Sequence, residues 1–295
     1  MGGVMSGLVS SLGVGAMRIL ALLPLPALRA LGWLLGWALY LLVADRRRIV
    51  QTNLSLCFSE LPAHISRGLE AKIFIKFAQS WLDRSWLWHA PQAVLAQRLR
   101  ITGAIEMLDG KAPTVLFAPH FMGLDAGWTA LTLHIPRAFT TIYTDQTNKT
   151  LDAWILQGRQ RFGQVRLFGR ADGVREIASA LKTGQALYLL PDMDFGEKDS
   201  LFVPFFGVST ATVPSLPRFA RLGGAQVLSV ATRLTAQGYE VHISGPWADF
   251  PTPDLHADTA RMNRELETLI RSMPEQYYWV HKRFKTRPAG EAGVY

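Results

Sequence analysis

From Pro113 onward, short apolar runs alternate with helical stretches, and this alternation constrains the fold more than any other feature of the chain. Residues 114–118 (TVLFA) read as a buried strand and residues 124–134 as a helix. Residues 138–143 (AFTTIY) are strand-like, 151–162 helical, 165–168 a short strand and 173–182 a helix. Residues 186–190 (ALYLL) again read as a buried strand, 227–233 and 239–243 as two later strands, and 257–272 as a helix. Strands and helices at this spacing predict an α/β fold, a sheet with helices on its faces. No internal repeat, heptad run or low-complexity tract interrupts it, and no Pro/Gly/Ser linker divides the chain.

Ahead of this core lies RILALLPLPALRALGWLLGWALYLLVAD, residues 18–45. Its uncharged part, residues 30–44, is shorter than the ~20 residues a spanning helix needs. Residues 19–28 supply the missing length, but Pro24, Pro26 and Arg29 interrupt it. Arg46, Arg47 and Arg48 follow at once, which by the positive-inside tendency leaves the remainder on the cytoplasmic side, and Trp33, Trp37 and Tyr40 suit an interfacial belt. Residues 1–45 are therefore expected to be an uncleaved membrane anchor, spanning or half-inserted, and residues 46–295 the folded domain. A cleaved signal peptide fits less well, because the basic cluster follows the apolar region and no small-x-small site precedes it. A second apolar-aromatic stretch, residues 69–92, carries Trp81, Trp86 and Trp88; packing inside the fold and resting on a headgroup layer are both open for it.

Composition narrows the function. Of 295 residues, 49% are hydrophobic and 18% charged, against roughly 25% charged in an average soluble domain. That excludes disorder, while the polarity beyond residue 45 excludes a polytopic membrane protein. The single cysteine, Cys57, excludes an internal disulfide and any multi-cysteine zinc or iron–sulfur site. A net charge of +8 calls for an acidic partner: nucleic acid, anionic lipid or an acidic carrier protein. The G-x-S-x-G elbow, the phosphate loop, G-x-G-x-x-G and H-E-x-x-H are all missing. Histidine, carboxylates and arginines remain.

His120 is the most informative histidine. It follows the strand TVLFAP and opens HFMGLD, which ends in Asp125. Residues five apart do not share a helix face, so a turn at Met122-Gly123 has to fold Asp125 back before its carboxylate can fix the imidazole tautomer and free the other nitrogen as a general base. The spacing alone is weak, since it also arises by chance.

Two longer segments carry more. Residues 191–206, PDMDFGEKDSLFVPFF, form a strand end with two carboxylates and a glycine before a Phe-rich loop; residues 274–288, PEQYYWVHKRFKTRP, mix aromatic and basic residues. Together with RRRIVQTNLSLCFSE and FVPFFGVSTAT, they resemble the bacterial lipid A biosynthesis acyltransferases, late-acylation enzymes within the wider H-x-x-x-x-(D/E) acyltransferases. The resemblance runs from about Arg46 to Arg287.

It implies a single glycerolipid-acyltransferase-like α/β domain with a mixed central sheet. It also implies transfer of a fatty acyl group from acyl carrier protein to a hydroxyl of a lipid A precursor, at the cytoplasmic face of the bacterial inner membrane, with no metal, no redox cofactor and no nucleic acid. His120 matches the family's catalytic base, Asp125 its acidic partner, Arg161 in GRQRFG an active-site arginine and Asp194 in PDMDFG a nearby acidic residue. Arg170 and Asp192 sit in the same blocks as substrate-binding candidates. At most one of Asp192 and Asp194 is expected to point into a given site. Direct attack by the acceptor hydroxyl in a ternary complex needs no enzyme nucleophile, in keeping with the missing serine and cysteine motifs.

The chain departs from the family in two places: Asp125 stands where Glu is usual, and Tyr143-Thr144 where Tyr-Arg is common. Both bear on the acceptor, so a lysophospholipid, aminoacyl lipid or polyene lipid is carried as an alternative, and a non-catalytic membrane-surface protein as a second. Lys282 and Arg283, with Lys285 and Arg287, read either as a solvated face or as a contact for anionic lipid or the acidic carrier. His281 reads as a packing or capping residue.

Overall fold

The computed structural model describes residues 2–169 and 172–295. Five helices come first: α1 (Gly2–Leu20), α2 (Leu25–Leu42), α3 (Ala44–Cys57), α4 (Ala63–His89) and α5 (Gln92–Arg98). Then follow β1 (Leu99–Gly103), β2 (Thr114–Phe117), α6 (Leu124–His134), β3 (Phe139–Tyr143), α7 (Lys149–Arg159), β4 (Val165–Gly169), α8 (Val174–Lys182) and β5 (Ala186–Leu189). The chain closes with β6 (Leu201–Phe205), β7 (Val208–Thr212), α9 (Ser215–Gly223), β8 (Gln226–Leu234), β9 (Tyr239–Ile243) and α10 (Leu255–Ser272).

Seven strands form one mixed sheet in the order β1-β9-β8-β2-β5-β3-β4. Neighbours run parallel except β8 and β9, and β6 and β7 make a separate antiparallel hairpin. The central strands β2 and β5 are buried throughout, which is why TVLFA and ALYLL read as continuous apolar runs. Along β2, Val115 and Phe117 face a core shared with α8, α9 and α10, whereas Leu116 and Ala118 face one shared with α4, α6 and α7.

The apolar-aromatic stretch at residues 69–92 belongs to α4 and packs inside: Ile73, Phe74, Trp86 and Trp88 are all buried. The helix α2 is long and apolar enough to cross a membrane by length and composition. Its inner face, however, is docked on α4. Leu25, Leu28, Gly32 and Gly36 are buried, while Leu31, Trp33, Leu34, Leu41 and Leu42 are exposed. Arg29, an interruption in the apolar pattern, turns inward to an ion pair with the fully buried Asp83 at 2.8 Å. Asp83 also accepts from Tyr239 Oη at 2.6 Å and Trp86 Nε1 at 2.9 Å.

Close approach explains the two α2 glycines. A Cβ at Gly36 would stand 2.4 Å from the Cα of Ile75, and one at Gly32 2.9 Å from the Cα of Gln79. Gly36→Val is therefore expected to cost about 1–3 kcal/mol through overpacking. The checks are a lowered melting temperature in detergent and faster proteolysis between α2 and α3, against an unchanged Gly13→Val control, where a Cβ meets nothing within 4 Å.

Candidate active site

The register of β2 on β5 builds the centre of the site. Phe117 lies opposite Leu189, so three residues further along each parallel chain His120 and Asp192 emerge side by side beyond the carboxyl ends of the strands. That edge of an open parallel sheet is where ligand crevices form. His120 Nδ1 lies 2.8 Å from Asp192 Oδ1, and the backbone N–H of His120 donates to Asp192 Oδ2 at 3.0 Å. Tyr277 Oη donates to the same Oδ2 at 3.0 Å. Asp192 has no exposed surface. Burial alone would raise its pKa, but the His120 ring and these hydrogen bonds hold it below the ordinary carboxylate range. An ionised carboxylate only accepts, so Nδ1 carries the proton and Nε2 is left as the basic nitrogen.

The segment around His120 is strapped down. Phe121 bridges Tyr277, Met122 N–H donates to Gln276 O at 2.7 Å, and Tyr278 N–H donates to His120 O at 3.0 Å. Residues 274–288, whose basic residues read from sequence either as a solvated face or as a contact for lipid or carrier, are chiefly a brace behind the His–Asp pair. Tyr277, Trp279, Arg283 and Phe284 are buried. Arg283 is a substrate-binding candidate that the structure moves inside: 1% exposed, it donates to Ala211 O at 2.8 Å and Thr212 Oγ1 at 2.9 Å on β7. Lys282 stays exposed, with its ammonium 5.5 Å from the Tyr295 ring centre.

Asp125 is the second correction, because its carboxylate is engaged elsewhere. Gly123 precedes α6, and its approach to Thr232, where a Cβ would sit 2.6 Å from Cγ2, fixes the start of the helix. Asp125 falls in the first turn, a favourable place for negative charge. There each oxygen is taken by one arginine. Arg84 of α4 reaches Oδ2 through Nη2 at 2.7 Å and Nε at 2.8 Å, and Arg159 at the end of α7 reaches Oδ1 at 2.8 and 2.9 Å. Burial opposes ionisation of Asp125, but the two guanidinium groups outweigh it and keep its pKa low. Arg84 lies over the Trp81 ring at 4.3 Å and Arg159 over Tyr143 at 5.3 Å.

His120, Asp125, Arg84 and Arg159 line one cavity of about 910 Å³, whose walls include Phe77, Trp81, Trp128, Ile142, Ile155 and Met193, with Thr144, Tyr278 and His281 also on its surface. An apolar hollow with a few converging polar groups suits a hydrocarbon chain with a reactive polar end.

The remaining candidates lie elsewhere. Arg161 donates to the carbonyls of Leu87 and Ala90 and so caps the end of α4. It lines a different hollow, beside His89 and Trp154. Asp194 binds the chain itself, accepting from Gly196 N–H at 2.9 Å, Thr286 Oγ1 at 2.8 Å and Thr286 N–H at 2.7 Å. Asp192 turns to His120, whereas Asp194, two residues on, turns to Thr286. Arg170 lies outside the described residues.

Sequence reasoning missed Arg84 and Arg159. A charged pair, Asp83-Arg84, inside an aromatic helix was the available signal for the first, and Arg159 stands two residues before the arginine that was chosen.

Comparison with known proteins bears on the whole chain. The family model for bacterial lipid A biosynthesis acyltransferases matches residues 4–286. The chain is 31% identical over 289 residues to the lipid A biosynthesis palmitoleoyltransferase of Escherichia coli K12, covering 96% of this chain and 93% of that one. It is 30% identical over 290 residues to the lauroyltransferase of the same organism, covering 96% and 94%, and 29% identical over 293 residues to the myristoyltransferase, covering 96% and 89%. With a family match across nearly its full length and an apolar cavity at the carboxyl edge of its sheet, the chain belongs to the bacterial lipid A biosynthesis acyltransferases and is an acyltransferase.

Proposed function

We propose that this enzyme transfers a fatty acyl group from the thioester of acyl carrier protein to a hydroxyl of a lipid A precursor, with His120 as general base and Asp192 as the group that orients it. The observation that carries this reading is the part-buried 2.8 Å contact between His120 Nδ1 and Asp192 Oδ1 at the wall of the cavity. His120 Nε2 takes the proton of the acceptor hydroxyl as its oxygen bonds to the thioester carbon. The tetrahedral intermediate then expels the thiolate, which receives that proton from the imidazolium, while Asp192 stabilises the cation in between.

The arginine pair supports a phosphorylated acceptor. Two guanidinium groups against the single carboxylate of Asp125 leave one positive charge in excess at the cavity wall. Arginine presents a fork matched to phosphate oxygens. The exposed apolar face of α2, with Arg46–Arg48 just beyond it, supports work at the cytoplasmic surface of the inner membrane, where such an acceptor is embedded.

A second acceptor class is favoured by one feature: Thr144, standing where the family commonly has arginine, lines the cavity. A competition experiment decides. Membranes carrying the protein receive labelled acyl–acyl carrier protein together with a tetra-acylated lipid A precursor and a lysophospholipid, with His120→Ala membranes as the blank. Label is expected in the lipid A precursor. Label in the lysophospholipid overturns the acceptor assignment, and label in neither overturns the donor or the reaction.

A further inference from the structure

His281 lines the same cavity as His120, yet the scheme above gives it nothing to do. Its ring is held from one side: the backbone N–H of Asp194 donates to Nε2 at 3.1 Å. A ring nitrogen that accepts from an N–H bears no proton, so in the neutral ring the proton sits on Nδ1. Among the described residues Nδ1 has no hydrogen-bond partner. The backbone of His281 is fixed as well, its carbonyl accepting from Asn53 Nδ2 at 2.8 Å and its N–H donating to Tyr278 O at 3.2 Å.

The charged and titratable groups around this ring are Arg283, His120, Asp192 and Asp194. Burial first, and then the charges of Arg283 and His120, push the pKa of His281 down to about 4. The ring is therefore uncharged at neutral pH.

Acyl transfer places a negative charge on the former carbonyl oxygen, and donors already in position for it are among the largest sources of rate enhancement. In this cavity Arg84 and Arg159 each hold Asp125 through Nε and Nη2, and their excess charge is assigned above to the acceptor's phosphate. A cationic donor beside His120 would also oppose the imidazolium that forms there, whereas a neutral imidazole N–H would not.

We propose that His281 is a catalytic residue, its Nδ1–H donating a hydrogen bond to the acyl carbonyl oxygen as that oxygen becomes anionic. No proton leaves His281. The electron pair on the oxygen returns to carbon as the C–S bond breaks, and the thiolate is protonated by His120. The inference rests on His120 being the base.

The plain rival is that His281 only tethers the strand end at Asp194. Two substitutions separate the readings. In His281→Gln the side-chain carbonyl can accept from Asp194 N–H in place of Nε2, but the Nδ1–H donor is gone. In His281→Asn an amide N–H stands near the Nδ1 position while the link to Asp194 is lost.

The expected result with labelled acyl donor and lipid A precursor is a kcat for His281→Gln lowered ~10²- to 10³-fold, the usual scale for one such donor. His281→Asn should be at least tenfold faster than His281→Gln, with KM values within about threefold of wild type. A kcat for His281→Gln equal to or above that of His281→Asn overturns the proposal, because that is the order a tether predicts. His120→Ala runs in the same assay. If it keeps its rate, the base assignment has failed; if it is dead while His281→Gln runs at wild-type rate, only the His281 proposal has failed.

Discussion

His120→Ala is expected to transfer acyl groups at least ~10²-fold more slowly than wild type, with KM for donor and acceptor nearly unchanged. On the mechanism proposed above the loss belongs in kcat, because the imidazole takes its proton only as the C–O bond forms. Asp192→Asn should do as much damage or more, on the order of 10²- to 10⁴-fold, although it alters a residue with no exposed surface. An amide offers His120 Nδ1 a donor as readily as an acceptor, so the proton can settle on Nε2 and the base is lost. Asp192 also accepts from the His120 backbone and from Tyr277, so the melting temperature must be read beside the rate. Single-turnover rates on the two variants test the pair directly. A near-normal Asp192→Asn enzyme beside a dead Asp125→Asn enzyme would return the acidic partner to Asp125.

For Asp125→Ala the largest effect is expected on stability. The substitution leaves Arg84 and Arg159 facing each other without a counter-charge, their side chains only 17% and 20% exposed. Breaking a buried ion pair from one side costs ~3–5 kcal/mol. The residual solvent access of both arginines places this case near the lower end, about 3 kcal/mol. In a chain of this size that is a fall of about 5 °C in melting temperature, measured in detergent.

The pH dependence follows from the sign of the shifts. Asp125 and Asp192 both have folded pKa values below the ordinary one. Their stabilisation is thus complete above the unfolded pKa of ~4 and is lost as pH falls through the folded values. Acid titration by circular dichroism should show wild type losing stability steeply below about pH 4. Asp125→Asn, already deprived of its share, should show a shallower acid limb.

The centre of the sheet was legible because β2 and β5 are buried on both faces, and runs such as TVLFA and ALYLL are the mark of strands of that kind. The hairpin of β6 and β7 was not. Its turn is Phe206-Gly207, with φ of 49° and 76°, where an Asn-Gly or Asp-Gly pair would be the usual signal, and Pro204 lies within its first strand. The Phe-rich loop of the sequence reading is that hairpin. The short edge strand β1 (LRITG) left too weak a pattern to find.

At the site, His120 was legible and its partner was not. The pairing with Asp192 depends on the register of two strands far apart in sequence, and spacing along one chain carries no information about that. The nearer carboxylate, five residues on, was the obvious choice until the helix start at Leu124 turned it toward two arginines. Arg84 was hidden for the same reason: which helix lines the cavity beside Asp125 is set by packing between segments far apart in the chain. Within residues 274–288 the basic residues divide, Lys282 and Lys285 facing outward and Arg283 inward, because alternating aromatic and basic residues look alike whether they coat a surface or brace an interior.

The glycine contacts between α2 and α4 also bear on where the cavity stands relative to the outer helix. Where backbones touch at Gly32 and Gly36 there is no compliant layer of side chains between the helices. The same α4 carries Phe77, Trp81 and Arg84 to the cavity wall. The outer helix and the reaction chamber therefore form one stiff strut rather than a tethered head. The distance between α2 and the chamber is then a built-in dimension, and on the function proposed above it fixes how far a membrane-held acceptor rises to react.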